Sequence, residues 1–287
     1  VFASIYHPVG IAMLIKSNRK IGFRLGINGV FGNMGVAAAP LIAGILLTMG
    51  DWRLCFILPG FFCLIYGFAF ITALEEEYQQ PAQKKQVKKS GFSPNWKLAL
   101  AAIFLSTASG GFVFSAMTFV VPRYFEISMV SLSSSVAITG LLASLVYACA
   151  SFTQIVVGWI IDRLEPKWVL FGIGVGQIFF IFLTSQFTDF ALFFSMLIAM
   201  SFVFGQIPIT DTILVRYVPD NWRSRVLSAK FLLNLCIGAF VLPFTSFLLR
   251  IGYDLKMIFT LASVVAIGVL ISSILLPSQG KELRPNI

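Results

Sequence analysis

The sequence predicts an all-α membrane protein with about nine transmembrane helices, and three observations carry that expectation. Of 287 residues, 58% are apolar, 30 are Phe and only 11% are charged, against roughly 45–50% apolar and about 25% charged in an ordinary soluble chain. The apolar residues gather into runs long enough to cross a hydrocarbon core of about 30 Å. The basic residues cluster in alternate loops, as the positive-inside pattern of membrane proteins requires.

The runs lie at 1–15, 24–49, 52–74, 97–121, 133–160, 167–185, 190–215, 226–249 and 255–276. All but the first reach the roughly 17–25 residues of a crossing. That first run has no basic leader and is followed by further spans, so it does not read as a secretory signal. Residues 75–96, EEEYQQPAQKKQVKKSGFSPNW, form the only extended polar stretch. They are a linker dividing three helices from six, with Lys84–Lys89 as a solvated connector. At its end Ser93 is the expected N-cap and Pro94 the expected first helical residue.

Charge and cysteine usage exclude several classes. Of the 21 Lys and Arg, all but Arg53, Arg123, Arg250 and Lys256 fall on one set of alternate loops or helix ends. That set is expected to be cytoplasmic, with the C-terminus on the same side of the plasma (inner) membrane of the cell. The net charge of +9 is spread over five separate loops without interleaved aromatics, which excludes a nucleic-acid surface. Cys55, Cys63, Cys149 and Cys236 lie inside apolar runs, where a thiol is expected to be a small buried hydrophobe rather than half of a disulfide or a metal ligand. With one histidine in the chain, no metal site and no cofactor are expected. GIGVGQ at 172–177 lies inside an apolar run, not at a strand–turn–helix junction. It is therefore no dinucleotide site, and Gly172 and Gly176 are expected to form a helix contact face.

The chain also repeats itself. HPVGIAMLIK (7–16) and IPITDTILVR (207–216) share Pro8/Pro208, Leu14/Leu214 and Lys16/Arg216 at an offset of 200. Asn33 matches Asn234, Pro40 matches Pro243, and DWRLCFIL (51–58) matches DLKMIFTL (254–261), the offset drifting only to 203. A parallel repeat of this kind is a transporter architecture. The unit spans six helices. Residues 1–74 are then the last three helices (4–6) of an N-terminal half, 75–96 the linker, and 97–287 a complete C-terminal half (helices 7–12). Three helices are expected upstream of Val1 in an intact relative.

The stretch GWIIDRLEPKW (158–168) puts charges between two oily runs. Gly158, Asp162 and Arg163, with Lys167 as a basic end, resemble the loop between the second and third helix of each half in the major facilitator superfamily. Glu165 and Pro166 depart from that pattern. The resemblance covers the whole chain and implies the major facilitator fold, with two six-helix halves around a central cavity. A glycine lets neighbouring helices approach closely, and a carboxylate at a helix end accepts hydrogen bonds from backbone N–H groups or an adjoining base. These residues are expected to form a latch, with Arg216 as the partner of Asp162 and Asp211 as a further member.

In GINGVFGNMGVAAAPLIAG (26–44), Gly26, Gly35, Ala39, Pro40, Ala43 and Gly44 resemble the fifth-helix signature of the family's proton-coupled exporters, with Ala at two Gly positions. The small residues predict close packing, and Pro40, lacking an N–H, predicts a bend.

Two ionisable side chains fall within runs, His7 and Asp211, and such groups are functional candidates. His7 is the expected coupling or substrate contact, because histidine changes charge near neutral pH. In this family the first and fourth helices of each half line the cavity. Here these are 1–15, 97–121 and 190–215: Thr107, Gly111, Phe114 and Thr118 share one face of 97–121, and Gln206 and Thr210 one face of 190–215. They form an aromatic and weakly polar lining without a cluster of fixed charges, suited to a small amphipathic solute.

The resulting expectation is a monomeric secondary active transporter in the lipid bilayer. It moves a small-molecule substrate by alternating access, with protons as coupling ion and efflux as direction. Proton-linked uptake and an inactive transporter fragment are the alternatives. A membrane enzyme is excluded because no span offers paired carboxylates, a nucleophile beside a base, or metal ligands.

Overall fold

In the computed structural model the described residues are 11, 20–77, 91–129, 131 and 135–278. Among them all regular structure is helical. The helices are α1 (Ile21–Thr48), α2 (Leu54–Glu77), α3 (Trp96–Ser128), α4 (Val136–Ile161), α5 (Pro166–Thr184), α6 (Asp189–Gly205), α7 (Ile207–Tyr217), α8 (Asp220–Arg250), α9 (Leu255–Val265) and α10 (Ile267–Leu275). Joining α6 with α7, and α9 with α10, gives eight spans long and apolar enough to cross a membrane. The expected ninth, at 1–15, lies outside the described residues apart from Ile11, as do most of the linker and its lysines.

Helix ends follow local chemistry. Ser135 caps α4 by accepting from the Ile138 N–H, and Asp254 caps α9 by accepting from the Met257 N–H. Pro166 opens α5 where its missing N–H costs nothing. The expected cap of α3 is corrected. The helix begins at Trp96 after Asn95, in the left-handed region at φ 59°. Ser93 instead ties the chain to the end of α7, its hydroxyl donating to the Arg216 carbonyl at 2.9 Å and its N–H to that of Tyr217 at 3.3 Å. Carbonyls at a helix C-terminus lack intrahelical donors, and Ser93 supplies two.

The bundle is apolar outside as well as in. Phe31, Phe61, Phe62, Phe68 and Phe240 point outward along their helices, as a bilayer solvent allows. Cys63, Cys149 and Cys236 are exposed there too, so the expected burial of these thiols is corrected. Two apolar cores stack along the helices. One holds Tyr124, Phe125, Tyr147, Phe204 and Phe259, the other Ile103, Ile161, Leu170, Ile213 and Tyr217. On α5 a Cβ on Gly172 would meet open space, whereas Gly176 packs closely on the Phe202 ring of α6 and Gly174 on Leu270 of α10, so only Gly176 of the expected pair lies at a helix contact.

The tightest seam joins α1, which precedes the polar stretch, to α4, which follows it. Gly22 faces Gly158, Gly26 faces Gln154, Pro40 faces Gly140 and Gly44 faces Val136, all in one antiparallel register. A Cβ on Gly158 would meet the Phe23 Cα at 3.2 Å, and one on Gly44 the Val136 carbonyl oxygen at 3.0 Å. A hydrogen in place of Cβ on one side of each contact, and on both sides at Gly22 and Gly158, permits this approach.

Residues matched by the internal repeat occupy like places. Pro40 lies inside α1 and Pro243 inside α8. Gly50 (φ 107°) and Gly252 (φ 96°) make the left-handed turns just before Asp51 and Asp254.

Candidate functional site: a charged cavity and its clamp

A cavity of about 490 Å³ opens between α1, α3, the α6–α7 junction and α8. Its volume and mixed lining are those of a small-molecule site. From α3 come Thr107, Gly111 and Phe114; from the junction, Gln206 and Thr210; and from α1 and α8 the repeat-related pair Asn33 and Asn234. Of the residues expected to line it, Thr118 does not. Its hydroxyl donates to the Phe114 carbonyl at 2.7 Å, and its own carbonyl accepts from the Tyr147 hydroxyl at 3.1 Å, which fixes it in the α3–α4 packing.

The helix break at Gln206 is held by side chains. Gln206 Nε2 donates to the Ser106 carbonyl at 2.9 Å and to its hydroxyl at 2.8 Å, while Gln206 Oε1 accepts from Gln177 Nε2 at 2.8 Å. Gly110 and Gly111 make room for this arrangement, since Cβ atoms there would collide with the carboxamides of Gln206 and Asn234. The Thr107 hydroxyl has no protein partner among the described residues, and a buried polar group of that kind is poised for a ligand or water.

Fixed charge is present in the cavity, contrary to expectation. Lys230 Nζ forms an ion pair with Asp211 Oδ1 and donates to Thr210 Oγ1 at 2.7 Å. Asp211 is 5% exposed and Lys230 9%. Two corrections follow. Asp211 belongs to the cavity rather than to the latch, because it stands on the inner face of α7, over a turn before Arg216. Lys230 is no loop charge, for it lies about 15 Å along α8 from Asp220 at about 1.5 Å per residue. The sequence carried the signal, since Lys230 falls inside the apolar run 226–249.

At one end of the α1–α4 seam sits Asp162. Its Oδ1 accepts from the Gly22 N–H at 2.9 Å and its Oδ2 from the Phe23 N–H at 3.0 Å. Helix α1 has no cap of its own, as Lys20 at its N-cap is left-handed and makes no side-chain bond. The carboxylate of another helix therefore satisfies two orphan donors and meets the positive end of the α1 dipole. Arg216 is not its direct partner. Its Nη2 donates to the Ile161 carbonyl at 3.0 Å, beside Asp162, whose negative charge still acts on the guanidinium from there.

The other latch residues surround this clamp. Gly158 packs on Gly22. The Arg163 guanidinium lies over the Trp159 ring, 3.7 Å from its centroid, with Nη1 on the Trp159 carbonyl at 3.0 Å. Lys167 Nζ reaches the Ile274 carbonyl at 3.4 Å, near the C-terminus of α10.

The exporter-like signature divides between faces of α1. Gly26, Pro40 and Gly44 meet α4, and Ala43 accepts from the Cys55 thiol at 3.9 Å. Gly35 and Ala39 face away, and a Cβ on Gly35 would meet open space. His7 lies outside the described residues.

Residues 1–229 match the family model described as Major Facilitator Superfamily. No curated protein matches. Solved structures with the same architecture include the following three. A structure of the E. coli fucose:proton symporter FucP has a TM-score of 0.65 at 12% identity, covering 96% of this chain and 74% of that one. FucP in the outward conformation has a TM-score of 0.65 at 13% identity, covering 95% and 73%. The proton:xylose symporter XylE bound to 6-bromo-6-deoxy-D-glucose has a TM-score of 0.63 at 15% identity, covering 96% and 68%.

Proposed function

The chain belongs to the major facilitator superfamily of secondary transporters, and from that premise we propose that it moves a small organic solute across the cell membrane by alternating access coupled to protons. The observation that carries this reading is the cavity at the meeting of α1, α3, α7 and α8, with a buried acid–base pair in its wall and the Asp162 clamp at one end. Intramembrane ion pairs are costly and mark transport pathways. A carboxylate holding another helix by its N-terminus is a contact that forms in one arrangement of the halves and parts in the other. Residues 1–74 and 97–287 act as those halves. Asp162, Gly158, Arg163 and Arg216 form the latch on the side that the Lys/Arg pattern assigns to the cytoplasm.

Direction has two readings, each with its own support. The Gly26–Gly44 signature on α1 favours export in exchange for protons. The Asp211–Lys230 pair, together with the likeness to the proton symporters FucP and XylE, favours movement of proton and solute together. Inverted vesicles with an acidified lumen and a luminal pH probe separate them. Addition of solute outside alkalinises the lumen for an exchanger and acidifies it further for a symporter. No response to any compound in a broad panel, from vesicles shown to contain the protein, defeats the transport reading.

A further inference from the structure

We propose that Lys230, held in place by Thr210, forms an anion subsite in the cavity, which receives the carboxylate of a small organic acid with an apolar body in place of the internal carboxylate of Asp211. The inference rests on the transport reading of the same cavity and names its solute class.

The pair is not demanded by packing. An ammonium and a carboxylate buried at membrane depth are costlier than apolar residues of similar size. The internal repeat supplies the comparison. In the register that sets Pro8 on Pro208 and Leu14 on Leu214, Ile11 stands where the second unit has Asp211. In the register of Asn33 and Asn234, Gly29 stands where it has Lys230. Ile11 and Gly29 line the same cavity. One side of the cavity thus accommodates uncharged residues at the equivalent positions, and the ion pair is a feature of the other side alone.

The geometry selects an anion. Thr210 Oγ1 donates to the Ile207 carbonyl at 3.3 Å, which leaves its oxygen to accept from Lys230. Besides Asp211 Oδ1 and Thr210 Oγ1, Lys230 has no further protein partner among the described residues. Among the described residues, the other polar groups lining the cavity are neutral: Asn28 and Asn33 from α1, Ser106 and Thr107 from α3, Gln206 from the junction and Asn234 from α8. A cationic solute would be repelled by Lys230, whereas an anion finds an ammonium with two of its three donors in use, and several amides. Leu25, Val36, Phe114 and Phe231 supply the apolar wall for its body. When the solute's carboxylate pairs with Lys230, Asp211 takes a proton and becomes the neutral acid. Lys230 stays protonated, and the proton and the carboxylate enter together without adding net charge. This exchange belongs to the symport reading.

The test is binding by the purified full chain in lipid nanodiscs, with radiolabelled benzoate, benzamide and benzylammonium in equilibrium dialysis at pH 6 and pH 8. Benzoate is expected to bind about tenfold more tightly than benzamide, and benzylammonium more weakly than both, with benzoate favoured at the lower pH. Asp211→Asn, which removes the internal competitor, should strengthen benzoate binding and flatten its pH dependence. The double variant Asp211→Asn/Lys230→Gln keeps the cavity neutral. It should elute as the unaltered protein does and bind benzoate no better than benzamide. Equal binding of the three probes, a benzoate preference that survives in the double variant, or no benzoate binding by Asp211→Asn overturns the subsite. Benzoate binding without proton-linked flux in vesicles would instead leave the subsite standing and remove the transport reading.

Discussion

Asp162 performs at the scale of one residue what α1 cannot do for itself. It accepts from two N–H groups of a helix that has no cap, across an interface between distant parts of the chain. Asp162→Ala is expected to weaken this closure by about 2 kcal/mol, roughly a 30-fold shift in the conformational equilibrium, since charge-assisted hydrogen bonds of this kind are lost. The measurement is maleimide labelling of Asn33→Cys in the cavity, which should become faster from the Lys/Arg-rich side. Asp162→Asn keeps acceptor capacity without charge and should fall between. Because Arg216 bonds the Ile161 carbonyl rather than the carboxylate, exchanging the two (Asp162→Arg with Arg216→Asp) should not restore function lost in either single variant. Recovery of transport in the exchanged protein would show a direct pairing instead.

At the scale of elements, the α1–α4 seam depends on which face of α1 a glycine occupies. Gly26→Val would drive a side chain into the Gln154 backbone, whereas Gly35→Val points into open space. Overpacking of a tight contact costs about 1–3 kcal/mol. Gly26→Val is therefore expected to lower the thermal midpoint of the purified protein and its transport, and Gly35→Val to leave both close to unchanged. Equal effects from the two would mean that the signature acts through something other than this seam. The helix break at Gln206 belongs to the same scale. It places Gln206 on Ser106 and Gln177 and leaves Asp211 and Thr210 facing inward on the short helix that follows.

For the whole molecule, the consequence of the charge pattern is sidedness. Lys84, Lys85, Lys88 and Lys89 are expected on the cytoplasmic side. An impermeant amine reagent should leave them unmodified in intact cells and label them in inverted vesicles, as read by peptide mapping. Labelling in intact cells would reverse the topology and with it the orientation of the Asp162 clamp.

The sequence by itself determined the solvent and the architecture. Apolar runs of crossing length and a polar stretch between them are consequences of hydrocarbon energetics, and basic residues on alternate loops follow the positive-inside rule. They are local enough to read off the chain, and the runs at 24–49, 97–121 and 133–160 reappear as α1, α3 and α4. The spacing of Gly158, Asp162 and Arg163 made the clamp region legible too, since a carboxylate at a helix end needs a donor. Which donor it finds was decided by tertiary structure, because the N–H groups of Gly22 and Phe23 are invisible as side chains and lie about 140 residues away. Lys230 shows the same limit. Counted along the chain it resembled a loop charge, and only the crossing of α8 with α7 brings its ammonium to Asp211 and Thr210. Hydrophobicity is additive along a segment and survives without a partner, whereas a hydrogen bond or ion pair exists only once folding has set its second atom in place.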